Sequence, residues 1–287
     1  NGVDHDHSIY SSGFNNKASL NLSWQYKGNF YWGINLNFHD ILVEKELRHV
    51  ESNFDSDSPI TDIDFRNYLT SNGSGISVQG GLIYKLKTIR LGLSYTTPTY
   101  YNFEDNLEQY IKTSSVDVDG NIFTDIVDPQ IINLYDYDFK SPSKLSFSIA
   151  SIINNMIIVS ADLVSKDYSN SKFKHDNDGL YNGLNSAIGK NLASVLDYKI
   201  GTEIKLNQFS LRGGLKTSNN PYNTKEKKYI TSQTIGLGYD FNGSTLDFAV
   251  INSSYNYNYQ LFDTGLTDSA NIETNQLKLI FSYNIIF

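Results

Sequence analysis

The chain has 287 residues, with 21 Tyr, 16 Phe, one Met and no Cys, and its formal net charge is −8. An acidic balance without a basic stripe argues against nucleic-acid binding, and the lack of Cys excludes disulfides, thiol catalysis and thiolate metal sites. No stretch approaches the roughly 18 consecutive apolar residues of a transmembrane helix, whereas abundant aromatic and turn-forming residues favour β structure.

The first predicted elements are two alternating segments joined by a tight turn. Apolar residues occupy every second position from Ala18 to Tyr26 and again from Phe30 to Phe38, and "KGN" at 27–29 lies between them. A period of two predicts strands that have one apolar and one polar face.

The same alternation returns along the rest of the chain, and together the segments predict about eleven antiparallel strands. The final segment ends in its apolar register on Phe287. The later segments are 76–84, 89–95, 145–149, 157–163, 196–204, 209–215, 235–241, 246–250 and 277–287.

The connections between these segments alternate in length. Every second connection is a turn of about three residues, whereas the others are long and polar. Short turns at one rim and long loops at the other are typical of an outer-membrane barrel. The long connections are 44–72, 97–140, 166–194, 217–229 and 252–273.

Charged residues fall on the face opposite the apolar one. In a soluble sandwich the apolar faces would meet, whereas in a membrane barrel they contact lipid and the polar face lines a lumen. Aromatic residues at the segment ends favour the barrel, because interfacial girdles belong there. We predict an all-β, transmembrane antiparallel β-barrel over 1–287, located in the bacterial outer membrane. The predicted lumen charges are Lys199, Arg212, Lys216, Glu203 and Asp247.

The strand count carries a further expectation. Single-chain bacterial barrels usually have an even number of strands and both termini at the periplasmic rim. Counting back from the C-terminal segment makes the first visible strand, 18–26, run towards that rim. An odd number of strands is therefore expected before it, and we interpret the chain as the C-terminal part of a larger barrel.

Several longer stretches resemble the FadL-type transporters of hydrophobic compounds, in the version found among Bacteroidetes. The resemblance implies a barrel of 14 strands, of which about eleven are visible here, while the N-terminal hatch and the first strands are absent. The stretches are "GLIYKLKTIRLGLSYTTPTYYNFEDN" (81–106), "SPSKLSFSIASI" (141–152), "SADLVSKDYSNSKF" (160–173), "YKIGTEIKL" (198–206), "FSLRGGLKTSNNPY" (209–222) and "YQLFDTGLTDSANIE" (259–273).

The resemblance also implies a function, namely passive uptake of hydrophobic small molecules such as long-chain fatty acids. In the family, two long extracellular loops form an apolar groove that captures the ligand, which passes to a lumen site and leaves sideways through the wall. Those loops would be 44–72 and 97–140. The candidate ligand-binding residues are Tyr100, Tyr101, Phe103, Phe123, Phe65 and Tyr68.

Less specific interpretations remain open for these residues. The loop aromatics could form a small core of their own or mark the outer membrane interface. The lumen charges could guide an acid headgroup, or they could form a structural network in which Asp197, Glu203 and Asp247 pair with the cations, because buried charges normally need partners.

The remaining motifs predict no chemistry. "DHDH" at 4–7 has carboxylates and imidazoles at a spacing able to hold a metal, yet a solvated loop is expected there, and no metal or cofactor is predicted. No nucleophile with a base stands out, so no enzyme is predicted. The alternative function is a docking or shuttle subunit of a Bacteroidetes protein-secretion complex, whose loops would bind other outer-membrane or secretion proteins.

Overall fold

A computed structural model describes residues 2–128, 133–174, 179–223, 229–260 and 268–285, so the predicted terminal Phe287 lies outside the described residues. The described residues form one antiparallel sheet of 15 strands. The strands are β1 (Asp4–Tyr26), β2 (Phe30–Ser52), β3 (Ile60–Leu86), β4 (Ile89–Thr96), β5 (Tyr100–Val116), β6 (Ile122–Val127), β7 (Asn133–Lys140), β8 (Lys144–Ile153), β9 (Ile157–Asp167), β10 (Lys172–Lys174), β11 (Ser194–Leu206), β12 (Phe209–Asn219), β13 (Tyr229–Asp240), β14 (Ser244–Tyr259) and β15 (Ala270–Ile285).

Tight hairpin turns lie along one rim of the sheet, which we call the short-turn rim. Each contains residues with positive φ, including Lys27 at 47°, Lys87 at 35°, Asn207 at 55° and Asn242 at 62°. Two-residue hairpin turns need positive φ to match the twist of the strands, and Asn tolerates it better than most residues. The predicted short turns are therefore confirmed.

Two kinks interrupt the wall in neighbouring strands, at 97–99 and 141–143, and each contains a proline. Pro98 lacks an N–H, so ladder pairing stops there as predicted. One edge of β3 pairs with two strands in succession. Its part nearer the short-turn rim pairs with β4, and its part beyond the kink pairs with β5. In the same way the kink at 141–143 separates β7, above it, from β8, below it. Strand β7 pairs with β5 on one side and with β10 on the other. Four strands, β5, β6, β7 and β10, thus extend the wall beyond the kinks, which leaves the predicted eleven strands below them.

The structure corrects the expected long loop at 44–72. Strand β2 continues to Ser52 and β3 starts at Ile60, so the connection is only 53–59. The two strands stay in register along this whole stretch, from Phe30 opposite Tyr84 to Glu51 opposite Ile63. Most of 97–140 is likewise strand, as β5, β6 and β7. The sequence predicts both segments as loops because their outer faces do not carry an apolar residue at every second position.

Helical structure is limited in the described residues. It consists of one 3-10 turn, Tyr168–Asn170, and helix α1, Asn182–Asn191, both within the connection predicted at 166–194. Neither is long and apolar enough to cross a membrane.

The burial pattern is the reverse of that in a soluble protein. Only Val164 and Val195 are buried hydrophobic residues in the described part of the chain, whereas eight polar or charged residues are buried there. On the outer face Leu20 and Leu22 are 66% and 64% exposed, whereas Asn37 on the inner face is 2% exposed. Soluble sandwiches bury their apolar faces. The predicted all-β architecture, with polar residues facing inward, is confirmed.

The inner face is held together by hydrogen bonds between side chains of neighbouring strands. Ser19 donates to Asn37 at 2.8 Å, and Asn37 donates to Ser77 at 3.4 Å. One step nearer the short-turn rim, Asn35 donates to Gln79 at 3.3 Å. Cross-strand pairs of this kind satisfy polar groups that the narrow interior removes from solvent.

The two ends of the sheet come together in space. Tyr259 of β14 and His7 of β1 lie 252 residues apart in sequence, yet the Tyr hydroxyl and His7 Nε2 are 3.4 Å apart. Their ring centroids are 6.0 Å apart. The sheet therefore curves into a cylinder, although no backbone pairing joins β1 to β15 within the described residues.

Candidate functional site

Half-buried aromatic rings line the inner face just beyond the kinks, and we call this set the inner aromatic row. Neighbouring ring centroids are 5.2–5.5 Å apart, the usual spacing of favourable aromatic pairs. The row continues through β5, β7 and β10 to the residue that precedes α1. Its members are Tyr101, Phe103, Tyr137, Phe139, Phe173 and Tyr181.

Two glycines of β3 create the room for the first rings of this row. Gly75 is the cross-strand partner of Tyr101, and Gly73 is the partner of Phe103. A Cβ on Gly75 would lie 2.5 Å from Tyr101 Cδ1, and one on Gly73 would overlap the Phe103 ring. The rings therefore lie against the bare backbone of β3, because no side chain intervenes there.

The row has polar groups at its edges. The Tyr137 hydroxyl donates to Asp105 Oδ2 at 3.1 Å, and burial together with the Asp105 charge raises the pKa of Tyr137, so its phenol stays neutral. The His39 ring lies 5.7 Å from Tyr101 at the membrane-proximal end. The row thus offers mainly apolar ring surface and few fixed polar groups.

The predicted aromatic set does not form one site. Tyr101 and Phe103 belong to the inner aromatic row, whereas Tyr100 and Tyr68 are exposed on the outer face. Phe65 faces inward at the level of Ile111, ten positions along β5 from Tyr101, or roughly 33 Å. Phe123 lies at the tip of β6, opposite Ser115, and is exposed.

Sequence reasoning missed four members of the row, Tyr137, Phe139, Phe173 and Tyr181. The signal was present in "YDYDF" at 135–139, which alternates like a strand. The prediction of a single loop over 97–140 leaves this alternation out of the strand pattern.

Tyr100 contributes to a groove at the kink, whose lining also includes the inward-facing Tyr101 and Phe139. This groove, of about 630 Å³, has the apolar side chains of Phe38, Ile76 and Tyr100 towards the short-turn rim. On its far side Lys174 Nζ lies 4.9 Å from the Tyr100 ring centroid. A cation above an aromatic ring beside apolar residues is typical of the boundary between lipid and water.

Lysines collect on the inner face directly below the kinks. Lys144 is paired with Lys166 across β8 and β9, and Lys199 is paired with Lys216 across β11 and β12. Asp162 is the register partner of Lys199, and Asp197 lies between the two pairs. Four lysines therefore face two aspartates, an excess of two positive charges in a chain whose net charge is −8. We call this set the lysine cluster.

Asp197 is the hub of the lysine cluster. It is 3% exposed and accepts hydrogen bonds from Lys166 Nζ at 3.3 Å and from the Ser218 hydroxyl, and Lys216 Nζ lies 4.0 Å from Asp197 Oδ2 as an ion pair. No carboxylate oxygen lies within 4.0 Å of Lys199 Nζ among the described residues. Lys166 and Lys216 thus share one carboxylate, whereas Lys199 lies on the same inner face without an ion pair in the described part of the chain.

The remaining predicted lumen charges form a separate network nearer the short-turn rim. Arg212 Nε lies 3.0 Å from Glu203 Oε2, and Arg212 Nη1 contacts Asp247. Lys205 Nζ is 3.8 Å from the other Glu203 oxygen. These contacts are those of the structural-network interpretation, in which Arg212 pairs with Glu203 and Asp247.

Comparisons with known proteins concern the fold. No protein-family model matches the chain, and no curated protein matches it. Among solved structures, the toluene transporter TodX of Pseudomonas putida is similar with a TM-score of 0.47 and 14% identity, over 99% of this chain and 87% of TodX. A second TodX structure has a TM-score of 0.48 and 15% identity, over 99% and 88% of the two chains. The toluene transporter TbuX of Ralstonia pickettii has a TM-score of 0.45 and 13% identity, over 91% and 79%.

Proposed function

We propose that the chain is part of an outer-membrane channel that takes up hydrophobic small molecules by passive diffusion. The exposed apolar side chains around the cylinder suit contact with lipid, and the polar inner face suits a lumen. Every backbone group of a membrane-spanning segment needs a partner, and neighbouring strands supply it everywhere except at the facing edges of β1 and β15, which are not paired with each other in the described residues.

The observation that carries this proposal is the position of the inner aromatic row directly outside the lysine cluster. Tyr101 and Phe139 are cross-strand partners just above the kinks, and Lys144 follows the kink in β8. A molecule that enters from the outer side would meet apolar ring surface first and ammonium groups next.

The order of these two surfaces suits an amphiphilic acid, and we propose long-chain fatty acids as the substrate class. An acyl tail gains about 0.8 kcal/mol for each methylene removed from water, so burial of about ten methylenes contributes about 8 kcal/mol, the free energy of micromolar binding. The carboxylate would approach Lys199, which has no ion pair within the described residues, and Lys216, which shares Asp197 with Lys166. No chemical step is required, because binding at successive surfaces is sufficient for diffusion inward.

The aromatic part of the proposal is tested by removing inner rings. In proteoliposomes, the double variant Tyr101→Ala/Phe103→Ala should take up a fluorescent long-chain fatty acid on the order of 10-fold more slowly, since about two ring contacts are lost. Tyr100→Ala is the matched control, because the same residue type is removed from the outer face of the same strand. Equal uptake by the wild type and the inner double variant would overturn the proposed route.

The proposed recognition of the fatty-acid carboxylate is tested by removing the positive charge of one lumen lysine. Lys199→Gln should slow uptake of the fatty acid but leave uptake of a neutral hydrocarbon such as toluene unchanged. Lys205→Gln is the control, since Lys205 is 55% exposed near the short-turn rim and pairs with Glu203. If both substrates respond alike, the lysines have no role in recognising an acid headgroup. A barrel that admits neither substrate and co-purifies with a large secretion protein would support the docking alternative.

A further inference from the structure

Three histidines and a glutamate meet on one face of the β1–β2 hairpin, far beyond the kinks. The "DHDH" segment was expected as a solvated loop, but β1 begins at Asp4 and is paired with β2 from its first residue. His5 is the direct partner of Glu51, and His7 is the direct partner of His49. Because side chains two residues apart share a face, all four point towards the interior of the cylinder.

The separations between their polar atoms match those of a metal-binding group. His49 Nε2 lies 3.1 Å from Glu51 Oε1, and His5 Nδ1 lies 3.6 Å from the same oxygen. Ligand atoms of all three residues lie within 4.8 Å of one another. Ligands that bind Zn²⁺ at 2.0–2.1 Å in a tetrahedron are roughly 3.3 Å apart, so only small side-chain movements are needed.

The surroundings of this group favour a defined site over a solvated patch. The side chains of His49, Glu51 and His5 are 11%, 20% and 28% exposed. Phe65 of β3 is the register neighbour of His49 and provides an apolar wall. The imidazoles of His5 and His49 are stacked, with centroids 5.5 Å apart. Burial of this degree limits competition from bulk water for the ligand atoms.

His7 supplies an independent indication. Its Nδ1 is buried and has no hydrogen-bond partner in the described residues, whereas its Nε2 contacts the Tyr259 hydroxyl at 3.4 Å. The His7 ring centroid is 5.6 Å from that of His49. A histidine whose second nitrogen contacts a protein oxygen is the arrangement that metal-ligating imidazoles usually have.

We propose that His5, His49 and Glu51 bind one divalent transition-metal ion such as Zn²⁺, with the fourth position open next to His7. Two imidazoles and one carboxylate are a donor set that Zn²⁺ accepts, and imidazole also suits Cu²⁺ and Ni²⁺. Because His7 contacts Tyr259, the site lies where β1 meets β14. A bound ion would therefore link β1 to β2 at the outer mouth of the cylinder, next to β14.

The site is tested with Zn²⁺ as the probe, on chelator-treated full chain in detergent. Calorimetric titration should give one Zn²⁺ per chain, and His49→Gln or Glu51→Gln should weaken binding by at least ~10-fold, because each removes a direct ligand. His39→Gln is the matched control, since His39 is on the same strand and face, ten residues or roughly 33 Å away. This control should bind Zn²⁺ as the wild type does.

A spectroscopic measurement separates a metal site from a purely hydrogen-bonded cluster. Co²⁺ in the wild type should show the visible absorption of a four-coordinate nitrogen and oxygen site, and the signal should be lost in His5→Gln. Heat-dependent gel mobility confirms that each variant is folded before titration. The proposal is wrong if the folded wild type binds no Zn²⁺ at micromolar concentration, or if His49→Gln and His39→Gln bind it equally well.

Discussion

The wall below the kinks and the extension above them share the long strands β1, β2 and β3 but place opposite chemistry on their two faces. Below the kinks, Phe38 faces outward and is exposed, whereas its neighbour Asn37 faces inward and is buried. Above them, Phe103 faces inward in the aromatic row, whereas Asn102 faces outward. The alternation itself continues across the kinks, because β3 keeps its register with β2 from one region to the other.

The proposed change of medium, from lipid outside the lower wall to water outside the extension, accounts for this reversal, since the strand geometry is the same in both regions. Lipid around the lower wall would favour apolar side chains on its outer face. Water around the extension would favour a polar outer face and rings that pack inward, as in soluble β structure. Substitutions in the lower wall and in the extension are expected to differ in their effect on stability in the order that follows from this difference.

Placing a charge on the outer face of the lower wall should have the largest effect. Leu93 of β4 is the cross-strand partner of Leu82 and Phe147, so it lies in the middle of the apolar band. We expect Leu93→Lys to lower the free energy of unfolding from liposomes by roughly 2–4 kcal/mol. Ser94→Lys, one residue further on the inner face, should cost much less. If urea titrations showed that both variants lose the same free energy of unfolding, the assignment of Leu93 to the outer face and Ser94 to the inner face would be wrong.

Filling the space beneath the aromatic row should have the next largest effect. A Cβ on Gly73 overlaps Phe103, so Gly73→Ala should destabilise the extension by about 1–3 kcal/mol. Gly80→Ala is the control, because nothing lies within 4 Å of its Cβ position. Adding Phe103→Ala to Gly73→Ala should recover part of the loss, since the two changes are coupled. Simple additivity in thermal unfolding would argue against the close ring contact.

Removing the central cation of the lumen network should have a moderate effect. Arg212→Met leaves Glu203 and Asp247 facing one another without their shared partner. The Arg212 side chain is 39% exposed, so solvent screening limits the expected loss to about 1–2 kcal/mol. Lys205→Met should change stability little, because Lys205 is 55% exposed. Unfolding of both variants in urea provides the comparison.

The ion pairs of the extension should contribute least, and their effect should depend on pH. Hydrogen bonds from Arg66 and Arg48 hold the pKa of Asp64 well below its usual range. A lowered folded-state pKa stabilises the protein above the unfolded value, near 3.9, and this contribution is lost as pH falls through and below that value. Asp64→Asn should therefore lose slightly less stability than the wild type between pH 5 and pH 3. Thermal unfolding at both pH values measures the difference, and a larger acid loss in the variant would contradict it.

The strands below the kinks could be predicted from the sequence because an apolar outer face and a polar inner face impose a clear period of two. Leu20, Leu22 and their counterparts in the other strands are apolar wherever they face outward. The extension was missed for the complementary reason. Residues 44–52 and 100–116 are strand, yet their outer faces are polar, and the inward rings occur too sparsely for the same pattern to be recognised.

The candidate sites depended on pairings that no local pattern reveals. Phe173 joins Tyr137 and Phe139 only because the short β10 pairs with β7. The "DHDH" segment acquires His49 and Glu51 only because the β1–β2 hairpin extends to its far end. In both cases the partners lie more than 30 residues apart in the chain.

The sequence by itself determined the class of fold, the number of strands below the kinks, the short-turn rim and which face of each strand is apolar. These properties follow from the period of two and from turn residues, which act between near neighbours. Only the tertiary structure decided where each strand ends, which rings and charges meet, and that β1 approaches β14. Those outcomes depend on register between strands distant in sequence, because each cross-strand pair becomes a neighbour only when the sheet is assembled.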